Sequence, residues 1–157
     1  MPESQSLNST VPEETSSDVG YICLGCDFAL WVPVFAFRTS TLGLYNDARF
    51  PGRCILALNK HYDHWEDVPS TELNELVLES QRAMRAITEV SGAARVNLAV
   101  LGNTDSHVHF HLIPRFPDTE PNPKKSPWDD PRPRSKMSDT RVQKLTQQLR
   151  HALQKQQ

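Results

Sequence analysis

Apolar residues recur at helical spacing in two segments of the chain. Between Ser70 and Ser91 they form one stripe, and Pro69 suits the start of a helix while Gly92 suits its end. A second stripe runs from Asp139 to about Leu153, after Ser138, whose hydroxyl suits an N-cap. The stripes comprise Leu73, Leu76, Val77, Ala83, Met84, Ile87 and Val90, and then Val142, Leu145, Leu149 and Leu153. The pattern predicts one long helix and one C-terminal helix, each with a face in the core.

Shorter apolar segments predict strands. Ala29–Phe37 is apolar and aromatic but contains Pro33, which favours an edge strand or an extended segment. Thr41–Tyr45 predicts a short strand, and the continuous apolar run Cys54–Leu58 predicts a central one. Val96–Leu101 predicts a further strand after the long helix.

Histidine and apolar residues alternate over the next segment, which reads His107, Val108, His109, Phe110, His111 and Leu112. A β-strand sends successive side chains to opposite faces, so a strand here places three imidazoles on one face and the apolar residues in a core. Pro114 marks the predicted end of this strand. A short loop joins it to the preceding strand, which predicts an antiparallel pair.

Composition divides the chain into four regions. Residues 1–18 are rich in Ser, Thr, Glu and Pro and are predicted to be a disordered tail. Residues 19–116 form the predicted domain core. Seven of the chain's twelve prolines fall between positions 114 and 133, so residues 117–137 are predicted to be an extended proline-rich arm. Residues 138–157 carry the C-terminal helix, and the total of 157 residues fits one folded domain.

Charge and hydropathy narrow the classes of partner. The formal charge of −2 gives no overall nucleic-acid footprint. No apolar run approaches 18 residues, and the N-terminus lacks the features of a secretory signal. Three cysteines are an odd number, so reduced thiols are the expectation. We therefore expect a cytoplasmic protein that binds neither nucleic acid nor membrane.

Three chemical roles are open for the histidine face. It could be a solvent-facing polar strand, although the apolar alternation implies a specified register. Histidines two apart on a strand could chelate zinc. Alternatively the central His109 could act as a nucleophile, with the flanking rings orienting it or transferring protons. The spacing does not separate the last two roles.

The segment His107–Ile113 fits the pattern His-φ-His-φ-His-φ-φ, where φ is apolar, and so resembles the histidine triad (HIT) superfamily. Flanking segments resemble a bacterial branch described as diadenosine tetraphosphate hydrolase-like: Cys23–Cys26, Phe50–Cys54, Asn59–His61, Val96–Asn103 and Leu112–Phe116. The resemblance covers roughly Tyr21 to Trp128. It implies an α+β, HIT-like fold, with a bent antiparallel sheet of about five strands and one long packed helix beside the predicted C-terminal helix. It also implies a homodimer.

The resemblance favours the nucleophile role. By that likeness His109 attacks the α-phosphorus of a nucleotide and forms a nucleotidyl-histidine intermediate, which water or another acceptor then cleaves. His111 would contact the phosphate oxygens, and His107 would orient His109, largely through its backbone carbonyl. The expected activity is that of a hydrolase or transferase acting on dinucleoside polyphosphates or nucleotide conjugates, with no cofactor required for the chemistry. The alternatives are a catalytically weak nucleotide-binding or scaffold protein, and a hydrolase whose three triad histidines bind zinc.

The same likeness suggests substrate-binding residues. Asn103 and Thr104 match positions with phosphate-contacting side chains. Asn46 matches a position that binds the ribose hydroxyls, although it could equally be an ordinary turn residue. Arg53 could meet a distal phosphate or be a surface charge. Asp105 departs from the branch pattern, and its carboxylate should repel phosphate unless it points away.

A possible structural zinc site is the remaining expectation. Cys23 and Cys26 have the C-x₂-C spacing of zinc ligands. With His61 and His107 they could form the kind of zinc site that some HIT relatives carry. The alternative is a pair of reduced thiols in a partly buried segment.

Overall fold

The computed structural model describes residues 20–157, and the tail predicted to be disordered lies outside them. The strands are β1 (Tyr21–Ile22), β2 (Ala29–Leu30), β3 (Pro33–Ala36), β4 (Ser40–Leu44), β5 (Cys54–Leu58), β6 (Arg95–Ala99) and β7 (His109–Arg115). The helices are α1 (Ser70–Ser91) and α2 (Asp139–Gln154), and short 3₁₀ turns occur at Trp65–Asp67 and Pro127–Asp129. Within the described residues no helix is both long and apolar enough to cross a membrane.

Five strands form one antiparallel sheet in the order β3-β4-β5-β7-β6. This confirms the predicted α+β fold and the predicted pairing of β6 with β7. Within the described residues, strands β1 and β2 pair with each other alone, as a small hairpin. The predicted central strand is β5, which is buried at all five positions, and the proline-containing segment supplies the edge strand β3.

The two faces of the sheet have different covers. Leu42, Leu56 and Leu112 belong to the main core, which includes buried residues of α1 and α2. On the opposite face a smaller cluster joins Tyr21 and Leu30 of the hairpin to Ile55 and Ala57. The helices therefore build the core on one face, and the hairpin covers part of the other.

Helix α1 has the predicted bounds. It ends at Gly92, whose left-handed φ of 71° is easy for glycine, and the Gly92 N–H donates to the Thr88 carbonyl. Val77 is an exception to the predicted core stripe, because it lies about 100° around the helix from the buried Leu76 and is 44 % exposed. Ser138 accepts a hydrogen bond from the Arg141 N–H, which confirms the predicted cap of α2.

The histidine strand differs from its predicted bounds at both ends. His107 precedes β7, which begins at His109. Pro114 lies inside the strand, so the prediction that it marks the end was wrong. Pairing with β5 stops at Leu112, and beyond that point β7 pairs, among residues 20–157, with β6 alone. A proline is tolerated there because one side of the strand is an edge.

Candidate active site and adjoining metal cluster

The three histidines share one environment. The Phe28 ring stacks on His107 with centroids 4.9 Å apart and planes 10° apart, and its centroid is 5.0 Å from that of His109. The His109 and His111 rings meet edge to face at 4.9 Å. Val108 and Phe110 lie in the helix-side core. The alternation therefore places the imidazoles on the face opposite the helices.

A backbone contact defines the tautomer of His109. Its Nδ1 lies 2.6 Å from the carbonyl oxygen of His107. A carbonyl oxygen can only accept a hydrogen bond, so Nδ1 carries a proton, and in the neutral ring the lone pair is on Nε2. The ring of His109, which is 6 % exposed, is thus oriented with Nε2 on the side away from the His107 carbonyl.

His111 has an uncommon environment for an imidazole. Its Nδ1 is buried and has no hydrogen-bond partner among the described residues. Burial, and secondarily the nearby His109 and Arg53, lower the pKa of His111 to about 4. The ring is therefore neutral near pH 7. Trp128, from the proline-rich arm, meets it edge to face at 5.5 Å.

Two clefts meet at His109. The first, of about 330 Å³, is lined by residues 27–31, Tyr45, Ile55, His109 and His111, with Asp105 at its side. The second, of about 550 Å³, lies between residues 63–66 and the loop that precedes the triad. Among the described residues, no lysine or arginine lines either cleft. The first cleft has the apolar and aromatic walls that suit a nucleoside.

Beside the histidines, four potential metal ligands converge. The donor atoms of Cys23, Cys26, His61 and His107 all lie within 4.8 Å of one another. Gly25 permits this approach, because a Cβ at that position would lie 3.1 Å from the His61 ring. The Gly25 N–H donates to the Cys23 sulfur at 3.3 Å. Burial opposes ionisation of Cys23, but this bond and others to Cys26 and His61 outweigh it and lower the pKa of the thiol.

The two histidines of the cluster both turn Nδ1 inward. His107 Nε2 lies 2.7 Å from the Leu58 carbonyl and must donate to it, and Tyr21 bonds to the same two groups. His61 Nε2 lies 3.0 Å from the Asp63 carboxylate. When both rings are neutral, the two Nδ1 atoms, 3.3 Å apart, hold lone pairs that face each other. A proton or a cation must relieve that arrangement, and two thiolates with two imidazoles are the ligand set of tetrahedral zinc.

Comparison with known proteins decides the family. The sequence profile of the HIT domain matches residues 33–118, which is more than half of the chain. The chain belongs to the HIT domain family.

Individual relatives of this HIT protein are distant. An uncharacterised HIT-like protein of Methanocaldococcus jannaschii is 26 % identical over 72 residues, which are 43 % of this chain and 56 % of that protein. The chain thus aligns with little more than half the length of this curated relative. A histidine triad protein of Bradyrhizobium japonicum has a TM-score of 0.71 at 22 % identity, covering 78 % of this chain and 90 % of the other.

Two further solved structures have the same fold. A zinc-bound histidine triad family protein of Mycobacterium smegmatis has a TM-score of 0.59 at 19 % identity, covering 79 % of this chain and 84 % of the other. The diadenosine triphosphate hydrolase of Plasmodium falciparum, solved with Cyclomarin A, has a TM-score of 0.59 at 15 % identity, covering 91 % and 88 %. At these identities the likeness establishes the fold.

The predicted phosphate-binding residues lie in the loop before the triad of this HIT protein. Asn103 lines the second cleft together with His109. Thr104 is exposed and lines neither cleft. Asp105 is exposed and is among the residues that line the first cleft. Ser106 is fastened by a 3.0 Å hydrogen bond to Asp63.

Asn46 and Arg53 have structural partners. Asn46 accepts a hydrogen bond from the Met137 N–H at 2.8 Å and donates to the Met137 carbonyl at 3.5 Å. Arg53 is 4 % exposed, so the alternative that it is a surface charge was wrong. It pairs with Asp47 at 3.0 Å and lies 4.1 Å from the ring centroid of Tyr45, a residue of the first cleft. Arg53 therefore supports the part of the cleft wall that Tyr45 forms.

Sequence reasoning missed three supporting residues. Phe28 and Tyr21 flank the C-x₂-C segment, and aromatic residues around such a segment are a weak signal of a packed turn. Asp63 lies two residues after His61, and only the folded structure reveals that it bonds both His61 and Ser106. A carboxylate in this position orients a ligating imidazole.

The hypothesis that all three triad histidines bind one metal was wrong. Within residues 20–157, the only cluster of three or more potential ligands combines His107 with Cys23, Cys26 and His61. His109 instead directs Nδ1 to a carbonyl oxygen. His107 therefore belongs to the ligand cluster and lines the second cleft, whereas His109 and His111 line the first.

Proposed function

We propose that this HIT protein is a nucleotide hydrolase or transferase that works through a nucleotidyl-histidine intermediate on His109. The observation that carries the proposal is the 2.6 Å contact from His109 Nδ1 to the His107 carbonyl. In the neutral imidazole this contact places the lone pair on Nε2, and the His109 ring lines both clefts. A neutral imidazole is a competent nucleophile near neutral pH without prior deprotonation.

The other side chains supply binding and charge stabilisation. In the proposed reaction the nucleoside lies in the first cleft, and Nε2 of His109 forms a bond to the α-phosphorus as the bond to the leaving group breaks. The positive charge that develops on His109 is stabilised by the bond from Nδ1–H to the carbonyl. Neutral His111 can donate an N–H to a phosphate oxygen. Water or another acceptor then attacks the phosphorus, releasing the nucleotide and the free imidazole.

The direct test is to trap the intermediate. Wild-type protein mixed rapidly with diadenosine tetraphosphate or with an adenylated amine should gain one adenylyl group, which peptide mass spectrometry locates on His109. His109→Ala should retain the fold and lose turnover by several orders of magnitude. His151→Ala, an exposed histidine of α2, is the matched control and should be fully active. Substantial turnover by His109→Ala would exclude this mechanism.

The second candidate function is that of a nucleotide-binding protein with weak or no catalytic activity. Asp105 favours it, because a carboxylate beside the cleft and the lack of a lining lysine or arginine disfavour a polyphosphate. This candidate predicts tight binding of AMP in calorimetry and no product from either substrate class in chromatography. The same panel of substrates also tests the proposed assignment to the diadenosine tetraphosphate hydrolase-like branch.

We also infer that the cluster of Cys23, Cys26, His61 and His107 binds a structural zinc ion. The inward-facing Nδ1 atoms and the zinc-bound neighbour from Mycobacterium smegmatis support this. Native mass spectrometry should find one zinc ion per chain in the wild type and in Cys54→Ala, whose thiol lies in β5. Cys23→Ala should lose the ion. Full zinc occupancy in that variant would contradict the assignment.

A further inference from the structure

The β1–β2 hairpin forms one wall of the first cleft. Five consecutive residues, 27–31, line this cleft opposite His109 and His111. They follow directly after Cys26, so the turn that carries both cysteines leads straight into the wall. Any displacement of that turn is transmitted to the wall within one or two residues.

Apart from the cysteine–histidine cluster, the hairpin is held by a short set of contacts, chiefly the Tyr21 hydroxyl against the Leu58 carbonyl and His107, and the Phe28 ring against His107. Each of its strands has two residues, and the two strands pair with each other and not with the five-stranded sheet. A pair this short is not stable by itself. Its apolar anchors are Tyr21 and Leu30 against the small second cluster, while Ile22 and Leu24 are 72 % and 103 % exposed.

The metal cluster joins the hairpin to the main body. Cys23 and Cys26 belong to the hairpin turn, whereas His61 follows β5 and His107 precedes β7. An ion held by all four is a cross-link between the hairpin and the two central strands. Phe28 lies at the same junction, with its ring against both His107 and His109.

We propose that metal occupancy of this cluster assembles the nucleotide cleft, because the ion fastens the β1–β2 hairpin against the sheet and seats Phe28 beside His109. The proposal rests on the nucleotide-binding role proposed above and adds a regulatory function to the cluster. A metal-free chain keeps its sheet and helices but has a loose cleft wall. Nucleotide affinity is therefore coupled to metal occupancy.

The test compares zinc-loaded and zinc-free full-length protein, the latter prepared by dialysis against a chelator. Hydrogen exchange followed by mass spectrometry should show faster exchange in residues 20–31 of the zinc-free protein, with α1 unchanged. Calorimetry with AMP as the probe should show an affinity at least ten-fold weaker. Returning Zn²⁺ should restore both properties, which excludes irreversible misfolding.

Variants separate the cross-link from the folding of the hairpin itself. His61→Ala removes a ligand on the main body and leaves the hairpin sequence intact, so it should reproduce the zinc-free behaviour. Cys54→Ala and His151→Ala should behave as wild type in zinc content, exchange and AMP affinity. The proposal is overturned if the hairpin exchanges at the same rate in zinc-loaded and zinc-free protein. It is also overturned if both forms bind AMP with the same affinity, or if neither form binds AMP. Neither measurement needs turnover, so a failure of the hydrolase mechanism is recognised separately by the absence of a modified His109.

Discussion

His107 serves two neighbours at once. Its carbonyl oxygen accepts the Nδ1–H of His109, and its own Nδ1 faces the cysteines. Its Nε2–H is held by the Leu58 carbonyl beside Tyr21. Because the backbone carbonyl does the orienting, a side-chain substitution at 107 disturbs the metal cluster first and the nucleophile indirectly. His107 therefore orients His109 through its backbone and contributes to the ligand cluster through its side chain.

His111 should make the stability of the protein sensitive to mild acid. Its pKa is about 4 in the folded state against an ordinary value of 6.5, so below pH 6.5 the unfolded chain binds a proton that the folded chain does not. The contribution of His111 to the free energy of unfolding is fully present above pH 6.5 and is lost as the pH falls towards 4. Between pH 7 and 4.5 the free energy of unfolding should fall more in the wild type than in His111→Gln, by roughly 1–2 kcal/mol after allowance for partial exposure of the ring.

Urea unfolding at several pH values measures this difference. Groups with lowered pKa values that both proteins keep, such as His107, contribute equally and cancel in the comparison. Parallel loss of stability in the two proteins would show that His111 is not the responsible group.

Asp105 should select against highly anionic substrates. Asp105 and Asp27 both line the first cleft, and among the described residues no lysine or arginine lines it. For Asp105→Asn we expect the KM for diadenosine tetraphosphate to fall about 3- to 10-fold at low salt, and less at high salt, because a repulsive charge is removed. The KM for an adenylated amine should change little. Asp118→Asn, outside the clefts, is the control, and an equal effect of both variants would refute the explanation.

At the scale of elements, Arg115 fixes the proline-rich arm to the end of β7. Its guanidinium forms a bidentate pair with Glu120, with contacts of 2.6 to 3.1 Å, and donates to the carbonyls of Pro123 and Lys125. Both side chains are buried. The arm therefore follows a defined path and places Trp128 against His111.

Arg115→Met should release the arm and destabilise the protein by about 3–5 kcal/mol, because it leaves the buried Glu120 carboxylate without its partner. Urea unfolding measures the loss, and limited proteolysis within residues 117–137 detects the released arm. The double variant with Glu120→Gln should be less destabilised than the single one. Lys155→Met removes an exposed pair with Glu89 and should cost less than about 1 kcal/mol. A similar small loss for Arg115→Met would contradict this account.

The sequence predicted the elements whose signals are local. The bounds of α1 follow from apolar spacing and from Gly92, and the face of β7 follows from alternation. Contacts between distant positions were not predictable: Asn46 bonds Met137, 91 residues away, and Phe28 of the hairpin stacks on His107. Propensity does not encode such pairs, because they depend on which elements the fold brings together.

At the scale of the molecule, the five-stranded sheet has two edges with different protection. The outward carbonyls of Pro33 and Val34 on β3 accept hydrogen bonds from Arg150 of α2. Among the described residues no side chain covers the outer edge of β6 in this way, and Leu98 and Leu101 beside it are 42 % and 51 % exposed. An uncovered edge with apolar side chains favours pairing with another strand.

The homodimer implied by the HIT resemblance should therefore form through β6 rather than β3. Light scattering should give the wild type a mass near twice 17.8 kDa. Leu98→Lys places a charge on this edge strand, where lysine commonly blocks pairing, so it should shift the protein to the monomer while circular dichroism stays unchanged. Ile22→Lys, at an exposed apolar position on the hairpin, is the matched control and should remain dimeric. A dimer that survives Leu98→Lys but is lost with Ile22→Lys would place the interface on the hairpin, and a monomeric wild type would exclude both.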